Sequence, residues 1–511
     1  MKQDPGQVFD GVMVTVLGAG ESGQAAARWL KAAGALVIVS DSRPESEWDR
    51  KFLLWCRQAG VSVEAGGHTP DSCTRCAMMV VSPGISALAA PVRMAIDSGV
   101  AVVSDLVLAA CFWNGKIVAV TGTNGKTTTT MLIEHLLTNA GIPAVAAGNI
   151  SPPLFQVMDQ NRSDTVAVLE VSSFQLELLR QQWRLPFDRP HVSVAIWLNL
   201  APDHLDRHGD MKTYAECKAC LLELQDSDAW AVINRDDSVL EPYSRHGNGK
   251  RFFFTANAVS DSPGAYIDQQ AGRLVLNGLD KQGTCLVPEV YDLSGWGLVG
   301  AHNLENLAAA VVAARLMGAS KDDIQRGIAT FGAPAHRFET VVVAEGVTYI
   351  DDSKATNAAA TIRALEACRS PVVLVAGGLG KDEDYEDLSH IIGRLAQCGM
   401  IRAVILVGVH GPRLARSLEG EAVRGIAVEI VSQTDDGQAA MDQAVSLALR
   451  YAIPGDVVLL SPACASFDMF SSYRERGRAF RRSVQEIACK MALKKSDNPS
   501  VTGHDQYLSC T

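Results

Sequence analysis

The sequence predicts an α/β fold in about three domains, on three observations. Apolar runs of strand length alternate with helix-like runs along most of the chain. Two glycine-rich turns, Gly18-Ala-Gly-Glu-Ser-Gly and Thr121-Gly-Thr-Asn-Gly-Lys-Thr, each follow an apolar run and open a helix-like one. The chain has 511 residues, enough for three compact units at roughly 150 residues apiece.

The elements follow in order. Residues 12–17 read as a buried strand, 18–23 as its turn and 24–33 as a helix, and a second strand, 35–40, ends at Asp41. Strands at 61–64, 78–82 and 101–103 alternate with helical segments, which predicts a parallel, Rossmann-like nucleotide-binding sheet over residues 1–113. A second βα unit starts with strand 116–120 and helix 127–140. Strands at 165–171, 192–198, 230–233 and 251–255, a helix-like run at 214–224, a hairpin across 266–276 and a helix at 304–317 complete a central domain over 114–331. The run Gly332-Ala-Pro-Ala-His reads as a linker and as the hinge of a rigid-body closure. Strands at 371–376, 404–407, 427–431 and 456–460 then give a third, Rossmann-like domain over 332–490, and the polar tail 491–511 is expected to be disordered.

Composition narrows the function classes. Forty-six basic against 57 acidic residues leave a net charge of −11, so no global field attracts nucleic acid or anionic lipid, and an anionic ligand must be held locally. The apolar stretches stop short of the ~20 residues that cross a bilayer, and the N-terminus lacks the pattern of a secretion signal. A cytoplasmic protein without membrane insertion is expected, its twelve cysteines as thiols, and a monomer is the expectation for its assembly, although neither composition nor charge bears on that. The pairs Cys73/Cys76 and Cys217/Cys220 have CxxC spacing, but the second sits in a helix-like run without the turns of a zinc knuckle, and both read better as buried thiols.

The second glycine-rich turn carries the chemistry. Backbone N–H groups of such a loop at a helix N-terminus form an anion cradle, Lys126 adds a point charge, and the Thr127 hydroxyl is of the kind that ligates Mg²⁺. Val120 stands where strict Walker spacing would put the first glycine. The first turn, with Asp41 ending the next strand, also fits a dinucleotide fingerprint. A nicotinamide-dependent oxidoreductase is therefore the alternative, although it leaves the loop at Lys126 without a role.

Six segments in order, Thr121-Gly-Thr-Asn-Gly-Lys-Thr, Leu169-Glu-Val-Ser-Ser-Phe-Gln-Leu, Asn199-Leu-Ala-Pro-Asp-His-Leu-Asp-Arg-His-Gly, Gly300-Ala-His-Asn-Leu-Glu-Asn, His336-Arg-Phe-Glu and Asp352-Ser-Lys-Ala-Thr-Asn, resemble the successive signatures of the Mur ligase family. The resemblance runs from Gly18 to about Arg478. It implies a three-domain architecture with a Rossmann-like N-terminal domain, a central P-loop ATPase domain and a Rossmann-like C-terminal domain. It also implies an ATP-dependent, ADP-forming ligase of peptidoglycan precursor synthesis. The alanine-adding branch typically has histidine at the place of Asn124, and the diaminopimelate-adding branch carries an Asp-Asn-Pro-Arg motif that is missing here. Folylpolyglutamate synthetase lacks Asp-Ser-Lys-Ala-Thr-Asn. The resemblance thus favours addition of D-glutamate to UDP-N-acetylmuramoyl-L-alanine through an acyl phosphate and a tetrahedral intermediate. An L-glutamate-adding variant and a non-catalytic sensor stay open.

The same resemblance assigns residues. Gly122, Thr123, Asn124, Gly125, Lys126, Thr127 and Thr128, with Asn303, Asn306, Arg337 and Asp351, would bind ATP. Lys126, Glu170, His204 and Lys218 would be catalytic, and Thr127, Glu170, His204 and Lys218 would hold two Mg²⁺ ions, the lysine as its carbamate. Glu170 ends an apolar strand, where a ligand crevice is expected, whereas histidine is an unusual ligand for so hard a cation. Ser22, Asp41, Ser42, Arg43, Gly84 and Asn149 would bind the UDP substrate, although Ser151 stands where the family usually has glycine. Lys354, Thr356, Lys381, Ser466 and Tyr473 would bind glutamate, with Tyr473 where phenylalanine is common and Leu379 where some relatives have aspartate.

Overall fold

The computed structural model describes residues 3–180, 185–256, 263–278, 287–298, 300–332, 336–380, 385–419, 426–431 and 436–496. Among these residues the chain forms three sheets. The first contains β1 (Met13–Leu17), β2 (Leu36–Asp41), β3 (Ser62–Ala65), β4 (Met78–Val81) and β5 (Ala101–Ser104), all parallel in the order β3-β2-β1-β4-β5. The order reverses at β1, which opens a crevice at its carboxyl end, and the Gly18 turn lies there. Gly23 is required by this turn, since a Cβ on it would stand 1.9 Å from the Gly18 carbonyl oxygen.

The second sheet contains β6 (Ile117–Thr121), β7 (Ala144–Gly148), β8 (Val166–Glu170), β9 (Val194–Trp197), β10 (Trp230–Asn234), β11 (Lys250–Thr255), β12 (Gly264–Asp268), β13 (Arg273–Asn277) and β14 (Glu289–Asp292), in the order β14-β13-β12-β11-β10-β9-β6-β8-β7. Its strands are parallel from β7 to β12, and β13 and β14 are added antiparallel. Every residue of β6 is buried, as expected of a central strand covered on both faces. Its alternate residues feed two cores. Val118 and Val120 pack with helices Lys126–Asn139 and Ala301–Met317, while Ile117 and Ala119 belong to a core shared with the first sheet. Phe9, Trp29 and Phe112 meet Phe155 and Phe187 in that shared core, with ring centroids 5.0–6.2 Å apart.

The third sheet contains β15 (Glu339–Ala344), β16 (Val347–Asp351), β17 (Val372–Gly377), β18 (Ile401–Val407), β19 (Ala427–Ile430) and β20 (Val457–Leu460), in the order β15-β16-β20-β17-β18-β19. β15 and β16 form an antiparallel hairpin, and the other pairings are parallel. Met1–Gly332 and Ala333–Thr511 are two separate compact units, each with its own hydrophobic cores.

Several elements differ from the sequence expectation. β7 reads Ala-Val-Ala-Ala-Gly, which has no strand propensity of its own and is extended by parallel pairing to β8. The β15–β16 hairpin and β14 were also not foreseen. The helix-like run at 214–224 divides into helix Met211–Ala219 and a 3₁₀ turn Leu222–Leu224. The last helix, Tyr473–Ser496, continues past residue 490 into the segment expected to be disordered. The rest of that tail, the linker residues 333–335 and Lys381 lie outside the described residues. Cys73, Cys76, Cys217 and Cys220 are buried and unpaired, as are the other described cysteines in having no disulfide. No described helix is long and apolar enough to cross a membrane.

Candidate active site

The phosphate loop hangs between β6 and helix Lys126–Asn139. Gly122 and Gly125 take φ values of 153° and 84°, a region that favours glycine, and a Cβ on Gly125 would come within 2.3 Å of Asn306 Oδ1. Asn199 staples the loop. Its Oδ1 accepts from Asn124 N (2.8 Å), its Nδ2 donates to Asn124 O (3.1 Å), and its carbonyl accepts from Thr123 N (3.0 Å). Lys126 Nζ folds over the loop and donates to the Gly122 and Thr123 carbonyls at 2.8 and 2.7 Å. The Asn124 side-chain nitrogen is buried with no hydrogen-bond partner, the state of a donor waiting for a ligand. Thr128 is buried in the first turn of the helix, and Asn306 Nδ2 donates to Asn303 Oδ1 at 3.3 Å.

Glu170 ends β8 with only 1% of its surface exposed. Thr127 Oγ1 donates to Glu170 Oε2, and Asn149 Nδ2 donates to Oε1 at 3.0 Å, so three residues named from sequence meet around one buried carboxylate. Ser151, the departure from the family's glycine, donates its hydroxyl to Glu21 Oε1 at 2.6 Å and thereby ties this loop to the Gly18 turn.

Lys218 is buried on helix Met211–Ala219, its Nζ donating to the Gly122 carbonyl at 2.9 Å and lying 4.6 Å from the Tyr214 ring centroid. Burial, then the nearby Lys126 ammonium, push its pKa well below the usual lysine range, against the opposing carboxylates of Asp203 and Glu170. His204 sits at a left-handed φ of 55° at the head of a short helix, Leu205–His208, with Asp203 Oδ2 3.5 Å from its Nε2. Asp203 is buried and was not singled out from sequence. The structure thus pairs the Thr127 hydroxyl with the Glu170 carboxylate and, separately, the His204 imidazole with the Asp203 carboxylate, and Glu170, Asp203 and His204 do not converge on a single point among the described residues. Hydroxyl and carboxylate oxygens are the donors Mg²⁺ prefers, and a lysine would join them only if converted to an oxygen ligand.

In the first sheet, Asp41 reaches from the end of β2 to the glycine turn. Its Oδ2 accepts from Ala19 N (2.7 Å) and Arg43 Nη2 (2.9 Å), and its Oδ1 from Arg43 N (2.9 Å) and Nε (3.1 Å). Burial alone would raise this carboxyl, but the Arg43 guanidinium and the two N–H groups outweigh it and hold the pKa at about 2. Both oxygens are engaged by protein, which argues against the ribose-binding role of the oxidoreductase alternative. Near Ser22 lies the Asp105 carboxyl, which burial raises to about 6. Ser42 and Gly84 are exposed at the same rim.

In the second unit, the turn after β16 gathers residues from three segments. Arg476, fully buried, donates to Ser353 Oγ (3.0 Å) and O (2.8 Å) and to the carbonyls of Cys464 (3.0 Å) and Ala465 (3.1 Å). It thereby ties the Ser353 turn, which carries Lys354, to the Cys464–Ala465 segment that precedes buried Ser466, and Lys354 Nζ lies 4.1 Å from the Tyr473 ring centroid. Thr356 is half-buried just ahead of Asn357, which caps helix Ala358–Ala367. Asp351 is completely buried and accepts from His336 Nδ1 (2.6 Å), Arg481 Nε (3.2 Å) and Ser353 N (3.0 Å), so its carboxylate faces protein. Arg337 instead acts electrostatically on Asp352, whose carboxyl burial raises to about 7. Sequence reasoning missed Arg476. The signal was the 476, 479, 480, 483, 484 spacing of one buried helical face, on which an arginine stands among apolar and small residues.

Three family models match in succession. They are the Mur ligase MurD-like N-terminal domain over residues 12–104, the Mur ligase middle domain over 120–314 and the Mur ligase glutamate ligase domain over 336–464. A curated relative from Pelotomaculum thermopropionicum, "UDP-N-acetylmuramoylalanine--D-glutamate ligase", is 39% identical over 93% of this chain and 97% of its own. The protein of the same name from Acidobacterium capsulatum is 36% identical over 93% and 96%. The chain belongs to the Mur ligase family. Solved structures of the family share its fold at low identity. A pseudomurein peptide ligase type C from Methanothermus fervidus gives a TM-score of 0.56 at 18% identity, covering 93% of this chain and all of that one. The UDP-N-acetylmuramate-alanine ligase MurC from Thermotoga maritima gives 0.55 at 16%, covering 93% and 99%.

Proposed function

We infer that this Mur ligase adds D-glutamate to UDP-N-acetylmuramoyl-L-alanine at the expense of ATP, acting as a cytoplasmic monomer in peptidoglycan precursor synthesis. The observation that carries the reading is the convergence of Thr127, Asn149, Glu170 and Lys218 on one phosphate loop, in a chain whose full-length relatives carry that name. In the proposed reaction a carboxylate oxygen of the alanyl end attacks the γ-phosphorus of ATP and ADP departs. The glutamate amine then adds to the acyl phosphate carbonyl, and phosphate leaves the tetrahedral intermediate.

Each step brings anions together, and the residues present answer that. The loop amides, Lys126 and the unpartnered Asn124 amide would cradle the phosphates. Thr127, Glu170 and His204, with Lys218 as a carbamate, would hold two Mg²⁺ ions, which offset phosphate charge when bound. Burial lowers the pKa of the Lys218 amine, which favours the neutral form that reacts with CO₂. Asn149 would steer the incoming peptide end by its amide. Asn303 and Asn306 would meet the adenosine side, with Arg337 and Asp351, the latter held in place by His336 and Arg481. Ser22, Ser42, Arg43 and Gly84 would hold the UDP end, Asp41 acting through Arg43. Lys354, Thr356, Lys381, Ser466 and Tyr473 would take the two glutamate carboxylates. Domain boundaries after residues 113 and 331 go with this division of labour.

The test is a product mass. With ATP, Mg²⁺, UDP-N-acetylmuramoyl-L-alanine and D-glutamate, the expected product is heavier by one glutamyl residue, with one phosphate released. Equal turnover with L-glutamate would assign the other stereoisomer. Comparable turnover with L-lysine would overturn the pocket, because a second ammonium would meet Lys354.

A further inference from the structure

Arg207 belongs to the same segment as His204 but not to the machinery described so far. It lies one helical turn on, in helix Leu205–His208, and its side chain is 10% exposed. Its guanidinium makes three contacts to two other parts of the chain. Nε and Nη2 donate to Glu177 Oε2 at 3.1 and 2.8 Å, the central carbon lies 3.8 Å from the Phe174 ring centroid, and Nη2 also donates to the Ile85 carbonyl at 2.7 Å. Phe174 in turn packs edge-on against His204, with centroids 4.7 Å apart.

Ile85 is on the far side of a domain boundary. It follows Gly84 in the loop after β4, its amide bonds the Ser82 carbonyl, and Ser82 and Ile85 both abut Gly18 of the glycine turn. One guanidinium therefore joins the rim that would hold the substrate's diphosphate to the segment that would meet its reacting carboxylate. A charge-assisted fork of this kind is directional in a way that apolar packing is not.

We propose that Arg207 is a positioning residue that sets the separation between the loop 82–85 and His204, and so matches the enzyme to the length of substrate between diphosphate and carboxylate. The proposal deepens the ligase reading and rests on it for its kinetic arm. Glu177 neutralises the guanidinium, which leaves the Ile85 bond as a geometric tie rather than a source of net charge. Lysine offers no planar fork with which to serve Glu177 and Ile85 together, so it should not substitute.

The experiment compares wild type with Arg207→Lys and Arg207→Met. Both variants are expected to lose about tenfold or more in kcat/KM for the UDP substrate, while KM for ATP changes by less than about twofold. A parallel loss for both substrates, or full rescue by lysine, would mean that the residue serves stability or charge alone and would overturn the proposal. Amide hydrogen exchange on the ligand-free proteins gives a readout independent of turnover. Gly84 and Ile85 should exchange faster in both variants, with the β6 core amides unchanged, and unaltered exchange at Ile85 would refute the tie. A wild type without glutamate-adding activity would refute the ligase reading instead, and the exchange data would still decide the bridge.

Discussion

Lys126 and Lys218 stand on the same loop carbonyl, yet they differ in what their charge does. Lys126 reaches back over the loop from its helix and is half-buried, so removing it should leave the fold intact. Lys126→Ala is expected to cut phosphate release by about 10²–10³-fold with an unchanged Tm, and near-normal turnover would remove the loop from the mechanism. Lys218 is buried beside that cation, and both burial and the neighbouring charge lower its pKa. Intact-mass measurement in bicarbonate should show the protein heavier by one CO₂. Lys218→Ala should be nearly inactive and partly restored by acetate, a carboxylate able to occupy the vacated ligand position. Wild-type activity of Lys218→Ala in CO₂-depleted buffer would exclude the carbamate.

At the scale of elements, β2 and the glycine turn are joined through Asp41, and this connection depends on pH. The carboxyl is held at about 2 in the folded chain, below its unfolded value near 3.8. The folded state thus favours the ionised form, and the stabilisation is complete above about pH 4 and is lost as pH falls toward 2. Arg43 is 45% exposed, so water screens the pair and about 1 kcal/mol is expected. Urea midpoints should fall through this window in wild type and fall less in Asp41→Asn. The turn also depends on Gly23. Gly23→Ala forces a methyl into the Gly18 carbonyl, and a loss of about 1–3 kcal/mol is expected from chemical denaturation, with weakened UDP-substrate binding in the variant that still folds.

Across the whole molecule, the cores divide the chain differently from the sheets. Phe9, Phe112, Phe155 and Phe187, with half-buried Trp29 packed against them, form one cluster that unites the first two sheets, whereas the cores of the third sheet use only residues beyond 332. Residues 333–511 expressed alone should therefore unfold cooperatively, and residues 1–113 alone should expose the Phe9–Trp29–Phe112 surface and aggregate. Calorimetry of the full chain should show the first two sheets melting as one transition. Separate melting of residues 1–113 would contradict a shared core.

The sequence by itself determined the parallel α/β class, the phosphate loop and the family. These rest on local signals: apolar runs of strand length, glycines where φ is positive or the backbone approaches closely, and motifs whose residues touch one another or one loop. Thr127 and Glu170 were legible for that reason, since each lies within such a motif, whereas Asn149 and Lys218 lie outside the motifs and rested on the family resemblance. Tertiary structure alone decided β7, whose alanines extend only because β8 offers a hydrogen-bonding edge. It decided that Asp351 faces His336 and Arg481 while Asp352 faces Ser461 and the Phe338 amide, a distinction between adjacent residues that no motif contains. It also decided Arg207 and Arg476, because arginine is usually exposed, and which one turns inward depends on the carbonyls that distant segments bring to it.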